Sequence, residues 1–464
     1  YRGDADSALL SDLPTLRDYS RELERNHPIA AGISNTKVTN VVGTGLIMTP
    51  EIDRDVISLT DDQTDAIEQR IAAEWSLFTT HECDIERASN FDELCAVAYR
   101  SVHRDGDAFA LLPSVERPGS PYSTRVQLLE GDRISNPYWS ADTASISGGV
   151  QRNPVNGELQ GYHISDTHPH DVARRGLTKW DYFPAFGERT GIRMALHLMK
   201  KTRIGQSRGE PSLAPVIEPL RMLSKLTEAE LMASVISSMF TVFVKTELGD
   251  DTLGSFEPTA ESGGSSSDES YKMAAGAIVG LAEGESIESA NPNRPNVAFE
   301  PFVLAILRQI GMAVEIPFEV LLKSFNSSYS ASRAAMLEAY RFFVSERQWL
   351  CQDFCQPIYD RFFFEAVARG RIAAPGFELG DPLVMRAYTR ARWIGPPRGM
   401  IDENKEVQAA TARAAAFTTY EEETASLVGG SWRRKLKQRA KERDLMRELG
   451  MTPPDEDDVH DATR

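Results

Sequence analysis

One stretch in the middle of this chain has almost nothing to bury. Residues 250–272 hold glycines, a run of three serines and several acids, and segments of this composition cannot offset the entropy lost on ordering. We therefore predict a mobile loop here. Helical patterns lie on both sides, over residues 212 to about 239 and 299–311, and a strand-like stretch covers residues 273–281. The chain must accordingly fold as helix, irregular insert and helix.

Two prolines interrupt the first of these helical patterns. Pro215 and Pro219 fall near its beginning, and a proline in a helix interior removes a hydrogen bond and clashes with the preceding turn. Pro219 therefore predicts a kink, unless the helix proper begins there.

The first part of the chain has a mainly helical pattern. The first forty residues predict helix with a new start at Asn26-His27-Pro28, where Asn26 suits the cap and Pro28 the first turn. Gly43 predicts the end of that helix. Further helices are predicted over residues 61–79 and from Asn90 to a break at Asp105-Gly106-Asp107.

The hydrophobic pattern changes period after this break. Residues 108–112 and 125–129 predict strands, and residues 148–164 predict a hairpin that turns at Asn153-Pro154-Val155-Asn156-Gly157. Beyond residue 317 a short apolar stretch, a polar serine-rich run and a long helix over residues 331 to about 368 follow, and the tail from residue 401 is helical and highly charged. The fold class predicted is α+β and predominantly helical.

The net charge of the chain limits how it can bind nucleic acid. At 464 residues, with 51 Lys and Arg against 68 Asp and Glu, the formal net charge is -17. Proteins that wrap nucleic acid depend on clustered cations, so this class is disfavoured. A conduit that lets a polyanion slide needs few tight phosphate contacts, and such a role is compatible with an acidic wall carrying a few cations.

Neither the cysteines nor the start of the chain predicts export. Cys83, Cys95, Cys351 and Cys355 have no Cys-x-x-Cys spacing and predict reduced thiols; Cys351 and Cys355 favour buried packing over a shared metal. No apolar run approaches the length of a membrane helix, and the start lacks the pattern of a signal peptide. We expect a protein of the bacterial cytoplasm, or of a particle assembled there, with no membrane partner.

Common catalytic signatures are missing from the sequence. It contains no Gly-x-x-x-x-Gly-Lys-Ser/Thr, no Gly-x-Ser-x-Gly and no His-Glu-x-x-His, and Gly43-Thr44-Gly45 lacks the third glycine of a dinucleotide site. The best metal candidate is the group His163, Asp166, His168 and His170, for which structural roles are favoured. The sequence therefore predicts no enzyme, no cofactor and no metal site.

Two groups of cations are candidates for contact with nucleic acid. Lys323, Arg333 and Arg341 flank or follow the polar run 324–330, with surface charge as the alternative interpretation. A second group lies in the charged tail between residues 433 and 443, where a solvated helix face is the favoured interpretation.

Four blocks, in order along the chain, resemble one family. They are Arg25-Asn26-His27-Pro28-Ile29-Ala30-Ala31-Gly32 with Val41-Val42-Gly43-Thr44-Gly45-Leu46, the hairpin strings Gly149-Val150, Asn156-Gly157 and Gly161-Tyr162-His163-Ile164, Arg203-Ile204-Gly205-Gln206-Ser207-Arg208-Gly209-Glu210-Pro211 with Leu213-Ala214-Pro215, and Ser328-Tyr329-Ser330-Ala331-Ser332-Arg333-Ala334-Ala335. Together they resemble the portal proteins, or head-tail connectors, of lambda-family tailed bacteriophages. The match reaches Trp393-Ile394-Gly395-Pro396, and Pro219 in the first stem helix departs from the pattern.

The resemblance implies a portal fold assembled as a ring around a central channel. Its parts would be, by residue number, a wing (1–210), a stem helix (211–238), a clip (239–298), a second stem helix (299–316), a tunnel loop with the long helix and the second part of the wing (317–400), and a crown with a charged tail (401–464).

The resemblance also implies partners and sites. A ring of typically twelve copies at one capsid vertex would contact the major capsid protein, dock the large terminase subunit during packaging and later bind head-completion or connector proteins, while double-stranded DNA passes without sequence readout. The channel residues would be Lys323, Ser324, Asn326, Ser327, Ser328, Tyr329 and Arg333, and the crown contacts to DNA Arg433, Arg434, Lys435 and Lys437.

Two other classes of protein stay open at this point. One is a nucleic-acid-processing enzyme with paired carboxylates and a metal ion, which would need acids converging in one pocket. The other is a non-viral ring-forming adaptor, which the mass of the particle and a bound terminase would distinguish from a portal.

Overall fold

A computed structural model of the chain describes residues 3–169, 171, 178–238, 242–246, 285–289, 299–325, 328–377, 381–399, 402–430 and 432–451. The chain divides into two compact units. The first contains Tyr1–Ile217 and Gly311–Arg464, and the second contains Glu218–Ile310. The first unit is therefore built from both parts of the chain, and the second is inserted between them.

The helices before residue 240 follow the predicted pattern closely. In chain order they are α1 (Ala5–Leu9), α2 (Leu13–Asn26), α3 (Pro28–Val41), α4 (Arg54–Ile57), α5 (Asp61–Thr79), α6 (Phe91–Asp105) and α7 (Ile217–Ser238). The bounds of α5 agree with the prediction, and both α5 and α6 begin with a capping box, formed by Thr60 with Gln63 and by Asn90 with Glu93. Such reciprocal hydrogen bonds satisfy the free N–H groups at a helix start.

The cap of α3 differs from the prediction. Asn26 is the last residue of α2, so His27 takes the extended backbone conformation between the two helices. Its Nδ1 accepts a hydrogen bond from the backbone N–H of Ile29 at 3.2 Å. The helix ends at Val41, shortly before Gly43, whose φ of +61° suits glycine.

Pro219 does not kink the helix that contains it. A 3-10 turn at Ala214–Val216 precedes α7, which begins at Ile217 and places Pro219 in the first turn. Backbone N–H groups in a first turn have no acceptor within the helix, so a proline there removes no hydrogen bond.

The helices after residue 298 include the predicted long helix, interrupted once. In chain order they are α8 (Phe299–Ala313), α9 (Phe318–Leu322), α10 (Tyr329–Leu350), α11 (Gln356–Ala368), α12 (Pro382–Thr389), α13 (Glu403–Ala416), α14 (Tyr420–Leu427) and α15 (Trp432–Glu448). A π-helical turn, Cys351–Cys355, joins α10 to α11. It ends two residues before Pro357, which cannot donate to a helical ladder, and the N–H of Gln356 reaches back to the carbonyl of Cys351.

Among the residues that the structure describes, three antiparallel sheets belong to the first unit and one strand pair to the second. They are β1 (Ile47–Pro50) with β11 (Ala391–Ile394), the order β3 (Gln127–Glu130), β2 (Asp107–Leu111), β8 (Ala195–Met199), the order β4 (Ile146–Ser147), β5 (Val150–Arg152), β6 (Leu159–Ser165), β7 (Trp180–Pro184), and β9 (Val242–Thr246) with β10 (Glu285–Ser289). The hairpin predicted over residues 148–164 is confirmed by β5 and β6. The predicted loop 250–272 and strand 273–281 lie outside the described residues.

The main core of the first unit joins residues that are distant in sequence. Trp75 of α5 contacts the rings of Phe91, Tyr359, Phe362 and Trp393 at centroid distances of 5.1–5.9 Å. A smaller core between the two larger sheets contains Phe109 and Tyr162, whose centroids are 5.2 Å apart. Burial of such large rings supplies most of the stability of a fold like this.

The architecture confirms the predicted class, α+β and predominantly helical. The unit boundaries fall after Ile217 and after Ile310, within α7 and α8. The finer division into wing, stem, clip and crown stays a prediction.

Candidate functional site

The segment that precedes the long helix begins with a defined turn. Lys323 caps α9 in the left-handed conformation, with φ of +53°. Its N–H and that of Ser324 both reach the carbonyl of Glu319, the latter at 3.0 Å, as at many helix ends. The side chain of Lys323 is exposed. The predicted channel residues Asn326 and Ser327 lie outside the described residues.

Ser328 has a structural role at the start of α10. Its hydroxyl accepts the backbone N–H of Ala331 at 3.4 Å, and it also lies 3.2 Å from the hydroxyl of Ser330. Tyr329 is the first residue of the helix. The run of small polar residues therefore has a local explanation as a helix cap, in addition to any contact with DNA.

Arg333 pairs with an acid from the charged tail. Its guanidinium lies 2.6 Å from Glu406 of α13, and the other carboxylate oxygen of Glu406 lies 2.6 Å from Arg398. Glu406 is mostly buried and Arg333 is 40% exposed. The start of α10 and the start of α13 are thus held together by one carboxylate between two cations, a contact that the sequence did not reveal.

The predicted crown cations divide into engaged and exposed side chains. Arg433 lies 2.9 Å from Asp65 and 3.4 Å from Glu68, and Lys435 donates to the carbonyl of Gly429 at 2.6 Å. Arg434 and Lys437 are exposed on α15. The structure therefore leaves these last two best placed to meet a partner in solvent.

A buried ionic network fixes the Arg203–Gly209 segment that carried the third resemblance block. Asp107, at the start of β2, lies 2.6 Å from Arg17 of α2 and 2.6 Å from Arg208, and His197 of β8 is 3.3 Å away. Burial by itself would raise the pKa of the Asp107 carboxyl, but Arg208 and Arg17 hold it well below its ordinary value. The sequence gives no sign that Asp107 belongs to a buried ionic network, because its partners Arg17 and Arg208 lie about a hundred residues away.

Glycine is required where this segment crosses β2. A Cβ added to Gly209 would lie 1.9 Å from the carbonyl oxygen of Gly106, and one added to Gly106 would lie 2.5 Å from the carbonyl of Gly209. The two backbones thus pack directly on each other, and any side chain would separate Arg208 from Asp107.

The side chains of His163 and Asp166, two members of the candidate metal site, have separate partners instead of a shared centre. The Nε2 of His163 pairs with Gln151 at 2.9 Å, Asp166 accepts the N–H of Lys179, and His170 lies outside the described residues. Structural roles therefore account for the first two side chains.

His168 approaches other acids instead. Its ring and the carboxylates of Glu130 and Asp132 have potential ligand atoms within 4.8 Å of one another. Asp132 is already paired with Arg21 at 2.5 Å and Arg17 at 3.8 Å, so its charge is balanced by guanidinium groups.

The cysteines are buried and free. Cys95 of α6 and Cys355 of the π-helical turn have their sulfur atoms 3.7 Å apart, and burial raises the pKa of both thiols. Both thiols pack in the main core, as does Cys351. Buried packing is also what the sequence favours for Cys351 and Cys355. Over the part of the chain that the structure describes, no helix has the length and hydropathy to cross a membrane.

Comparison with known proteins places these features in one class. Residues 1–347 match the family described as "Phage portal protein, lambda family". The chain is 24% identical to Portal protein B of Escherichia phage lambda, over 97% of this chain and 87% of that protein. It is also 24% identical to the Portal protein of Escherichia phage N15, over 97% of this chain and 88% of that protein.

Solved structures with a similar chain course come from gene transfer agent particles. One is from the virion of the native particle, with a TM-score of 0.46, 13% identity and coverage of 90% of this chain and 94% of that chain. Another is from the neck of the native particle, computed with C12 symmetry, with a TM-score of 0.45, 13% identity and coverage of 89% and 94%.

The chain is a structural component of a phage-like head-tail connection. It belongs to the lambda family of phage portal proteins, which confirms the resemblance found in the four sequence blocks.

Proposed function

We propose that copies of this chain close into a ring, typically of twelve, around a central DNA channel at one capsid vertex. The observation that carries the proposal is the family match over residues 1–347. The order of elements supports it, since a unit bounded by α7 and α8 is inserted between the two parts of the first unit. Closed rings need contacts between two different faces of each copy, and a chain rich in both signs of charge can provide them.

The clip would dock the packaging machinery on the outside of the head. Residues 239–298 form the clip in this proposal, which docks the large terminase subunit during packaging and head-completion or connector proteins afterwards. The wing, residues 1–210 with 317–400, contacts the major capsid protein. The same channel is the exit for the genome, and the ring is assembled in the host cytoplasm and then resides in the virion.

The channel would be narrowed by the segment before α10. We assign its lining to Lys323, Ser324, Asn326, Ser327, Ser328, Tyr329 and Arg333. Hydroxyl and amide groups meet phosphates weakly and without base readout, which sliding requires. The exposed Lys323 and the engaged Arg333 would differ in effect, because Arg333 already has a carboxylate partner in Glu406.

The crown would face the packaged DNA with α15. Arg434 and Lys437 are exposed there, whereas Arg433 and Lys435 have partners within the chain. We propose that these four cations make weak, non-specific phosphate contacts.

We propose no catalytic step for the chain itself. A metal-dependent nuclease would need carboxylates free to hold a cation, and of the two acids that approach His168 among the described residues, Asp132 is closely paired with Arg21. The family match also disfavours a non-viral adaptor.

The purified chain can be tested by native mass spectrometry and negative-stain electron microscopy. A particle of about twelve copies with a central channel is the expected result. A protein that remains monomeric or dimeric, also when the capsid protein is present, would contradict the proposed ring.

A further inference from the structure

A cleft on the first unit concentrates positive charge in an otherwise acidic protein. Its volume is about 820 Å³, and Arg152, Arg193, Lys200 and Lys201 line it together with the acids Glu346 and Asp353. Four cations against two acids leave a net charge of two, whereas the whole chain carries -17. We call this feature the cationic cleft.

The cations of the cleft are not equally engaged. Lys200 contacts Glu346, and its ammonium lies 5.4 Å from the centre of the Trp349 ring. Arg152 donates to the carbonyls of Gly205 and Gln206 at 3.4 and 3.2 Å. Lys201 is exposed, and so is Arg193, whose guanidinium lies 5.4 Å from the centre of the Phe186 ring. These two are the cations of the cleft most accessible to a ligand.

The walls of the cleft favour an acidic protein surface over DNA. Tyr162, Leu159, Met199 and Trp349 add apolar surface, which a phosphate backbone cannot use. A volume of this size admits a few side chains, while a duplex presents a rigid rod with a major groove alone about 12 Å wide.

The same unit carries a surface of the opposite sign. Residues 51–68 contain seven acids and a single base, Arg54, which pairs with Asp55 and Asp61. Arg390, Arg392 and Arg433 pair with the four acids Glu51, Asp53, Asp65 and Glu68. Seven acids against these four arginines leave the surface with a net charge of -3. The side chain of Asp55 is 93% exposed and that of Asp61 is 80% exposed, and Asp62 is exposed as well. We call this segment, which spans α4 and the first half of α5, the acidic corner.

The two charged surfaces border different sides of α10. Val344 and Gln348 line a separate cleft together with Asp53 and Val56 of the acidic corner, whereas Ser345 and Trp349 line the cationic cleft. A step of one residue rotates the side chain by about 100° around an α-helix. One copy can therefore offer the two surfaces to two different neighbours, as a head-to-tail ring requires.

We propose that the cationic cleft of one copy receives the acidic corner of the next copy in the ring. The partner is a second copy of this chain, recognised by complementary charge. This inference rests on the ring set out under the proposed function and names the surfaces that close it. Attraction between exposed charges is screened by salt, so ring formation should weaken as ionic strength rises.

Charge reversal tests each surface separately in the full-length chain. The first variant, Arg193→Glu/Lys201→Glu, makes the cleft acidic. The second, Asp55→Lys/Asp62→Lys, changes the net charge of the corner from -3 to +1 when its paired arginines Arg390, Arg392 and Arg433 are included. Each alone should need about tenfold or more protein to form rings, because like charges then face each other. An equimolar mixture should form rings again, since cleft and corner are complementary at every contact of an alternating ring.

Analytical ultracentrifugation of the wild type, each variant and the mixture provides the readout, with far-UV circular dichroism to verify folding. Arg439→Glu/Lys441→Glu and Glu442→Lys/Glu448→Lys reverse equal numbers of exposed charges on α15 as controls. Arg193→Ala/Lys201→Ala replaces the first variant if that one is poorly folded, and should weaken ring formation to a smaller extent.

The outcomes separate this inference from the ring itself. Wild-type rings that tolerate both reversals would overturn the pairing and leave the ring intact, and so would a mixture that fails to restore rings. If the cleft variant keeps its rings but loses affinity for duplex DNA, the cleft serves nucleic acid and the pairing is overturned. A wild type that forms no rings would contradict both.

Discussion

Asp107 balances the charge of two buried arginines in the first unit. Replacing it in the variant Asp107→Asn removes the acid paired with the buried Arg208 and leaves the buried Arg17 with only the more distant Asp132, at 3.8 Å. We expect a loss of about 3–5 kcal/mol in the free energy of unfolding, as for other broken buried pairs. Urea denaturation followed by circular dichroism measures this loss, and Asp181→Asn, at an exposed position, should change it by less than about 0.5 kcal/mol.

The same variant should alter the response to acid. Because the pKa of Asp107 is held well below its ordinary value of about 4, its stabilising contribution is complete above that pH and is lost as the pH falls through the lower, folded value. The difference in stability between wild type and Asp107→Asn should therefore be largest near neutral pH and shrink in strong acid. A constant difference from pH 7 to pH 2 would show that the ionic form is irrelevant.

The buried Lys37 should make the stability of the fold depend on pH in the neutral to alkaline range. Burial, and then the charge of Lys200, lower its pKa to about 7, and its ammonium lies 5.1 Å from the centre of the Phe342 ring. The unfolded chain, with a pKa near 10.4, binds more protons between these values, so stability rises with pH there. The free energy of unfolding of Lys37→Met, taken relative to wild type, should therefore be about 2–4 kcal/mol higher at pH 6 than at pH 10.

Thermal unfolding at both pH values checks this, with Lys179→Met as the control. A stability difference between Lys37→Met and wild type that is the same at pH 6 and pH 10 would contradict a lowered pKa.

At the scale of elements, one arginine joins three parts of the first unit. Arg347 of α10 donates to the carbonyls of Val41 and Asn40, at the end of α3, and to that of Pro396. A Cβ at position 395 would lie 2.3 Å from its Nε, so Gly395→Ala should cost about 1–3 kcal/mol. Differential scanning calorimetry would measure it.

Gly32→Ala in α3 is the matched control. A Cβ there meets nothing within 4 Å, so helix propensity predicts a gain of up to about 1 kcal/mol. Equal effects of the two substitutions would argue against the steric explanation.

The contact between α10 and α13 predicts measurable coupling. A double-mutant cycle on Arg333→Ala and Glu406→Ala should give about 0.5–1 kcal/mol, a modest value because Arg333 is partly exposed. Arg341 and Glu338, which lie 3.5 Å apart on the surface of α10, provide the control pair, with a coupling near zero. If both cycles give the same energy, Glu406 does not connect the two helices.

Local signals account for the elements that the sequence predicted. The capping residues Thr60 and Asn90 and the turn at Asn153–Gly157 act within a few residues of the structure they determine. The pairing of Ile47 with Ile394 depends on packing between distant segments, which periodicity does not report. The same reason hid the partner of Arg333, which lies on α13. The strand β4 has only two residues, too few to show a period.

At the scale of the whole molecule, the crown cations predict a salt-dependent affinity for DNA. In Arg434→Ala/Lys437→Ala, the slope of log affinity against log salt should decrease by about 0.9 for each phosphate that the variant no longer neutralises. Fluorescence anisotropy with a non-specific duplex at several salt concentrations measures the slope. Arg189→Ala/Lys225→Ala, at exposed positions outside the crown, should leave it unchanged, and a similar drop for both pairs would argue against DNA binding localised to α15.

The core built from both parts of the chain has a consequence for biosynthesis. Ile47 pairs with Ile394, and Trp75 packs on Tyr359 and Trp393. At about 5–20 residues per second, the ribosome delivers Ile394 roughly 20–70 s after Ile47. Trp75 lacks its contacts with Tyr359 and Trp393 for that period, while the entire inserted unit is being made. A nascent chain in this state is a natural substrate for chaperones, and its yield should depend on them more than the stability of the finished subunit would suggest.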